Sequence, residues 1–319
     1  MALAIALGSG GVAASADRAS YRAPRTAYGA PDLQGIWSNA SLTSLERPRQ
    51  AASLIVSAAE AVTLERQLIE DREKFSSGIA VGQYEAEWLE DVDYLARMGG
   101  QARTSWIVSP ADGKLPYTGE GRREFGARQR AYVMGFDGPE ARPAVERCLS
   151  SGMGSGGAPI LNQVSAALYT IIQSRDEIAI VSESNHEARI VRLRSGHLPN
   201  QMRVWMGDSI GHWDHETLVV ESTNFRGDEA DRFQMVLPGD AKVTERFTRV
   251  SATEILYEFT VEDPVNCTQA WRAEMPFVAS KGPVYEFACH EGNYALPGIL
   301  AGAPRDAALA KAKSPSPGR

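Results

Sequence analysis

Lys242-Val-Thr-Glu-Arg-Phe-Thr-Arg-Val-Ser-Ala-Thr-Glu-Ile-Leu-Tyr-Glu-Phe-Thr-Val-Glu262 is the stretch whose pattern decides the fold. Val243, Glu245 and Phe247 alternate with Thr244, Arg246 and Thr248, and Ile255, Tyr257, Phe259 and Val261 repeat the period beyond Ser251-Ala252-Thr253. A side-chain period of two belongs to a strand with one buried face. Two strands, over 242–250 and 254–262, therefore meet across a short turn and share a nearly continuous apolar face. Glu245 lies on that face. Desolvation there raises a carboxyl pKa toward neutrality, where proton transfer is efficient.

Working outward, the same period begins at Val164 and predicts strands at 166–173, 177–184, 188–193, 202–206, 217–224, 269–277 and 284–290. Short turns such as Asp214-His215-Glu216 favour an antiparallel meander that closes on itself, with Tyr285-Glu-Phe-Ala-Cys-His-Glu-Gly-Asn-Tyr294 at its mouth. Upstream, Pro31-Asp-Leu-Gln-Gly-Ile-Trp37 reads as a first strand, and its Gly-x-Trp also opens lipocalin-type barrels. Ser57-Ala-Ala-Glu60 matches a capping box, and Ala61, Leu64, Leu68 and Phe75 follow at helical spacing, so 57–75 is a helix. A second helix is expected over 121–132. Thr104-Ser-Trp-Ile-Val-Ser-Pro110 is a strand leaving into a loop, and 135–160 is a long Gly-rich connection. The fold class that follows is mainly β: an antiparallel, lipocalin-like β-barrel with an N-terminal helical subdomain. It forms one domain over 17–303, with a helical insertion at about 57–132 and a disordered tail at 304–319.

The 319 residues suffice for a sizeable core, and 43% hydrophobic with 23% charged residues is ordinary for a globular chain. A net charge of −7 without a Lys/Arg block argues against nucleic acid as a partner. No stretch after the start reaches the length of a membrane span. Met1-Ala-Leu-Ala-Ile-Ala-Leu7 followed by Ala14-Ser15-Ala16 has the apolar core and small-residue cleavage site of a secretory leader over 1–16, without a basic n-region. The chain is expected in the periplasm or secreted, where disulfides persist. Of Cys148, Cys267 and Cys289, the first and last stand at anchor points, a loop and a strand end, and are expected to pair; three buried thiols are the alternative.

The candidate catalytic residues are His290, Glu291, His212, Glu221 and Glu245, with Glu221 and Glu245 taken as inward acids. His290 or His212 would move a proton while a carboxylate orients it. In the bland reading, Glu291 pairs with Arg246 to close the barrel. The candidate substrate-binding residues are His197, Trp213, Asn224, Arg246, Tyr257, Trp271 and Tyr294, whose rings suit an apolar or aromatic ligand if they line a cavity. His197, His212 and His290 converging with Glu291 could bind a transition metal, but dispersed histidines are more often structural, so no cofactor or metal is expected. His215, at a turn tip, is expected in solvent. Gly152-Met-Gly-Ser-Gly-Gly157 matches a dinucleotide fingerprint without the strand and helix it needs. Gly207-Asp-Ser-Ile-Gly211 matches a nucleophile elbow around Ser209, but a turn into a strand follows in place of a helix.

Several of these segments together resemble a large, mostly uncharacterised family of exported bacterial proteins: Asp32-Leu-Gln-Gly-Ile-Trp37, Arg142-Pro-Ala-Val-Glu-Arg-Cys148, Gly211-His-Trp-Asp-His-Glu-Thr-Leu-Val-Val-Glu-Ser-Thr-Asn224, Val243-Thr-Glu-Arg-Phe247 and Tyr285-Glu-Phe-Ala-Cys-His-Glu-Gly-Asn293. The resemblance spans nearly the whole mature chain and implies export and one continuous domain. It also implies that Cys148 and Cys289 are the matched pair and Cys267 the unpaired thiol. It implies no particular reaction. The function expected from the residues is an exported small-molecule enzyme using cofactor-independent acid/base chemistry, a lyase, isomerase or hydrolase, in the barrel cavity. The alternative is a non-enzymatic periplasmic carrier for small apolar ligands, whose pocket would hold few ionisable groups.

Overall fold

The computed structural model describes residues 21–77, 92–134, 138–144, 146–150, 156–162, 166–227, 234–294 and 296–302. In chain order the elements are β1 (Gly35–Ser38), β2 (Ile55–Val56), α1 (Ala58–Ser77), β3 (Arg97–Met98), β4 (Gln101–Arg103), β5 (Ile107–Ser109) and α2 (Gly119–Met134). They continue as β6 (Leu168–Gln173), β7 (Glu177–Ser182), β8 (Ala188–Arg192), β9 (Asp208–Asp214), β10 (Thr217–Thr223), β11 (Lys242–Arg249), β12 (Glu254–Glu262), β13 (Trp271–Ser280) and α3 (Cys289–Gly292). The leader, the dinucleotide-like glycines up to 155 and the tail from 303 lie outside the described residues.

The alternation over 242–262 does what its period requires. β11 and β12 pair antiparallel with Glu245 opposite Phe259 and Phe247 opposite Tyr257, and their inward residues are buried. The sheet runs β1-β6-β7-β8-β9-β10-β11-β12-β13 and closes where β1 pairs with β13. β5 joins β13 beside the same edge. The barrel is mixed rather than antiparallel, because β8 and β9 are parallel, with Val191 opposite Ser209 and Arg192 opposite Ile210. Parallel neighbours need a long return connection. Residues 193–207 supply it, and that crossover replaces the hairpin expected there.

Two expected strands are absent for related reasons. Residues 202–206 belong to the crossover, where Val204 alone forms a bridge, to Phe225. Residues 284–290 cannot extend the sheet, because β1 and β13 have already closed it; the chain instead leaves the barrel and turns into α3. The disulfide Cys148–Cys289, with Cα atoms 5.8 Å apart, therefore ties the 146–150 segment to α3 rather than to a strand. Cys267 is the free thiol and is buried. Burial and the nearby Asp263 push its pKa up to about 12.

The expected helical insertion is a mixed segment. α1 starts at the capping box, with the Ser57 N–H donating to Glu60 Oε2 (2.8 Å) and the Glu60 N–H to Ser57 Oγ (3.3 Å). It packs by Ala61 and Leu64 on Leu95 and Ala102, which belong to and flank the small sheet β2-β4-β3. α2 starts at Thr118, whose Oγ1 accepts the Gly121 N–H (2.9 Å).

The barrel is filled, where a cavity was expected. Trp37, Tyr169, Phe247, Tyr257, Phe259, Phe277 and Trp271 are all at most 2% exposed. Their rings pack edge-to-face or tilted, with centroids 4.7 Å apart for Phe247–Tyr257, 5.2 Å for Tyr169–Phe277 and 5.5 Å for Phe259–Trp271. A barrel of about this strand number has an interior just wide enough for side chains. Each such ring contributes about 1.5–3 kcal/mol on burial. From the loop side, Ile160 and Leu161 enter the mouth fully buried, and the Ile160 N–H reaches Tyr257 Oη at 2.8 Å.

Candidate functional site

The crossover that makes the barrel mixed also builds the candidate site. In β9 and β10 the residues facing out of the barrel include Asp208, Ile210 and His212 on one strand and Val219, Glu221 and Thr223 on the other, with Ile210 opposite Glu221. Residues 193–207 return over this outer wall and lay His197 across it. Its Nδ1 lies 2.9 Å from Asp208 Oδ2 and its Nε2 3.2 Å from Glu221 Oε1. The Leu198 N–H donates to Asp208 Oδ2 (2.7 Å), and Arg192 Nη2 donates to Asp208 Oδ1 (2.5 Å). Asn224, at φ +57° in the left-handed region that asparagine tolerates, fixes the far side by donating Nδ2–H to the Leu198 carbonyl (2.9 Å). The crossover enters β9 through Gly207 at φ +76°, where a Cβ would sit 2.4 Å from the Phe225 ring, so only glycine fits.

Glu221 also accepts from Lys242 Nζ (3.0 Å), which itself reaches Glu262 (3.4 Å). Burial works against the Asp208 carboxylate, but the Leu198 N–H, His197 and Arg192 outweigh it and hold its pKa below the ordinary aspartate value. Burial likewise opposes the charge on Glu221, and Lys242 and His197 reverse it, so this pKa too is lowered. The bond to Glu221 holds the Lys242 pKa up. An imidazole with a carboxylate oxygen against each ring nitrogen fills both bonds only as the imidazolium. Asp208 is 5% exposed at its side chain, His197 22% and Glu221 38%, so the cluster runs from an anchored acid to a solvent-facing one. The two ring nitrogens point to opposite carboxylates, which leaves the three groups without a common point to hold an ion. Among the described residues no group of three or more His, Cys, Asp or Glu is placed to hold a metal.

A second polar cluster lies inside the barrel. Arg189 meets Glu245 through both terminal nitrogens, Nη2 to Oε1 at 2.9 Å and Nη1 to Oε2. Tyr257 Oη donates to Glu245 Oε1 (2.7 Å). All three are at most 2% exposed. Burial opposes the guanidinium charge, yet Glu245 outweighs it and raises the Arg189 pKa. Burial and the Glu245 charge both raise that of Tyr257. Both Glu245 oxygens are bonded and the pair is sealed, with the Arg189 Nε–H buried and unbonded among the described residues, the arrangement of a structural ion pair.

The structure thus separates the residues singled out in the sequence. Glu245 and Tyr257 meet inside, and Trp271 is buried in the same core. His197 and Glu221 meet outside, with Asn224 bracing them; Glu221 faces outward, against expectation, because it sits one residue out of phase with the inward Val220 and Ser222. Trp213 packs half-buried against the core. His212 is exposed on the outer face of β9. His290 and Glu291 are exposed on α3, outside the barrel, and Tyr294 beyond them is 85% exposed, so the expected convergence with His212 does not form. Arg246 pairs with Asp214 at 3.0 Å and not with Glu291. His215 is in solvent, as its turn position implied. Ser209 is inside β9, 2% exposed, with its Oγ 2.7 Å from Ser222 Oγ, so no elbow presents it.

Asp208, Arg192, Lys242 and Arg189 were not singled out by sequence reasoning. Arg189 could have been: in Ala188-Arg-Ile-Val-Arg192 it shares the inward parity of Val191, so an inward guanidinium matches the inward carboxylate of Glu245. Nothing local marks Asp208, which becomes a partner of His197 only because the crossover returns over it. No helix among the described residues is long and apolar enough to cross a membrane. Comparison with models of known protein families finds no match to this chain, and comparison with curated proteins finds none either.

Proposed function

We propose that this chain is an exported enzyme that performs cofactor-independent acid/base chemistry on a small organic molecule, with His197 as the proton-transferring group. The observation that carries the reading is the placement of one partly exposed imidazole between a buried carboxylate, Asp208, and a solvent-facing one, Glu221. Asp208 holds Nδ1–H and fixes the ring. The imidazolium gives its Nε2 proton to a leaving or developing anion and is left as a neutral base with the Asp208 bond intact. That sequence serves a lyase, isomerase or hydrolase step, and a positioned acid/base group contributes about 10²–10⁴-fold in rate. Met202 (54% exposed) and Val204 (39%) on the same crossover offer apolar surface to a substrate body. The Cys148–Cys289 disulfide supports the export part of the reading. The carrier alternative loses its support where aromatic rings fill the barrel.

The test is turnover of activated esters, lactones and β-substituted carbonyl compounds by the purified protein, beside His197→Gln and Asp208→Asn. The expected result is turnover that falls at least about a hundredfold in His197→Gln, with the thermal transition retained. Equal turnover in that variant, or none across the panel by the folded wild type, would sink the proposal.

A further inference from the structure

The proton assigned to His197 Nε2 in the acid/base reading already has an acceptor in the folded protein. Glu221 Oε1 stands 3.2 Å from that nitrogen, so a substrate receives the proton only after this oxygen has moved away. The other oxygen of the same carboxylate, Oε2, is 3.0 Å from Lys242 Nζ. One carboxylate therefore spans two donors, a ring N–H and an ammonium, with one oxygen on each.

Both donors have anchors independent of Glu221. Asp208 Oδ2 holds His197 Nδ1 at 2.9 Å and is itself fixed by the Leu198 N–H, while Arg192 takes Oδ1. Glu262, opposite Lys242 on β12, reaches the ammonium at 3.4 Å. Glu221 extends from β10, and its carboxylate makes no other bond among the described residues. Its cross-strand neighbours, Ile210 on β9 and Thr244 on β11, carry no charge that would contest the position. At 38% exposure the carboxylate is reachable from solvent, and ion pairs this wet add little to stability. Rotation of the glutamate side chain into water thus costs little, whereas the anchored donors stay in place.

We propose, resting on His197 as the proton-transferring group, that the substrate of this site is a small carboxylic acid, that Lys242 binds its carboxylate, and that Glu221 is the resident competitor which closes the site until the substrate displaces it. In the complex the substrate carboxylate takes Lys242. The His197 Nε2–H, released from Glu221, then faces the adjacent atom on which negative charge develops. Two donors that already hold the two oxygens of one carboxylate suit another such group, and Glu262 beside Lys242 repels the greater charge of a phosphate. A tethered carboxylate competes at an effective concentration on the order of millimolar. Free carboxylates therefore bind the wild type weakly, and loss of the Glu221 charge uncovers the site.

The test follows the His197 ring resonances by NMR while the full chain is titrated with sodium acetate, with sodium chloride at equal ionic strength as the control. Acetate is expected to shift the Nε2 resonance and to bind Glu221→Ala at least about tenfold tighter than wild type. Glu221→Gln, of nearly the native size, should behave alike, so the test stands even where the alanine variant folds poorly. Lys242→Met added to either variant should weaken acetate binding by at least about tenfold. No acetate binding by either Glu221 variant, affinity equal to that of wild type, binding indifferent to Lys242, or the same shift with sodium chloride would overturn the proposal. Turnover of neutral esters that is lost in His197→Gln, with no preference for substrates bearing a carboxylate, would also overturn it while keeping the catalytic reading. Acetate binding as described, in a protein without turnover, would uphold the carboxylate site and sink the catalytic reading alone.

Discussion

The two polar clusters of the barrel wall use the same ingredients to opposite ends. Inside, Arg189, Glu245 and Tyr257 close on one another, and each is at most 2% exposed. Outside, Asp208, His197, Glu221 and Lys242 grade from buried to solvent. Only a strand's alternation separates them: Glu245 and Val220 face in, while Glu221 faces out. A sealed ion pair resists removal of one member far more than it rewards the presence of both. A wet one changes charge and partner at little cost, which suits proton transfer. Acidic residues on neighbouring strands of one sheet therefore differ in role because of parity and crossover, not residue type.

The comparison breaks most decisively at Glu245. Glu245→Ala leaves the Arg189 charge buried without its partner and should cost about 3–5 kcal/mol in urea unfolding. The double change Arg189→Met with Glu245→Leu should recover most of that loss, because apolar groups of similar volume replace a buried pair at little cost. If the single change costs as little as an exterior one, the sealed description is wrong.

Tyr257→Phe is the next step down. It removes the donor to Glu245 and the acceptor of the Ile160 N–H, and should cost about 1–3 kcal/mol by thermal or urea denaturation.

On the outer wall Asp208→Asn should cost roughly 1–2 kcal/mol near neutrality, and its pH dependence sharpens the contrast. The folded Asp208 pKa lies below its unfolded value. Its stabilisation is thus fully present above the unfolded pKa of about 4 and is lost as pH falls through the folded one. Wild type and Asp208→Asn should converge in stability as acid is added. Curves that stay parallel below that pH would remove Asp208 as the anchor of His197. The smallest effect belongs to Lys242→Met, whose side chain is 40% exposed. It should change stability by less than about 1 kcal/mol and weaken further with salt.

How much of this was legible can be argued residue by residue. The alternation of Val243, Phe247, Ile255, Tyr257, Phe259 and Val261 placed β11 and β12 almost to the residue, because a half-buried strand imposes its period on the sequence. The Ser57–Glu60 capping box placed α1 for an equally local reason. β9 was missed: its inward positions include Ser209 and Gly211, which carry no apolar signal, and its outward ones include Asp208 and His212. The strand expected at 284–290 has an aromatic-rich pattern but no edge left to join. Of the site, His197 and Glu221 were recognised separately as residues with chemistry; their meeting, and the part played by Asp208, were not.

By itself, then, the sequence determined the local periods: where strands alternate, where a helix is capped, and that Glu245 and Tyr257 face a core. Those are short-range consequences of backbone geometry and side-chain polarity. Only the tertiary structure decided that β8 and β9 run parallel, that the barrel is filled, and that His197 lies between Asp208 and Glu221. Each of these depends on the path of residues 193–207 through space, and contacts between residues distant along the chain are set by which arrangement of the whole sheet buries most apolar surface, a property no local window contains.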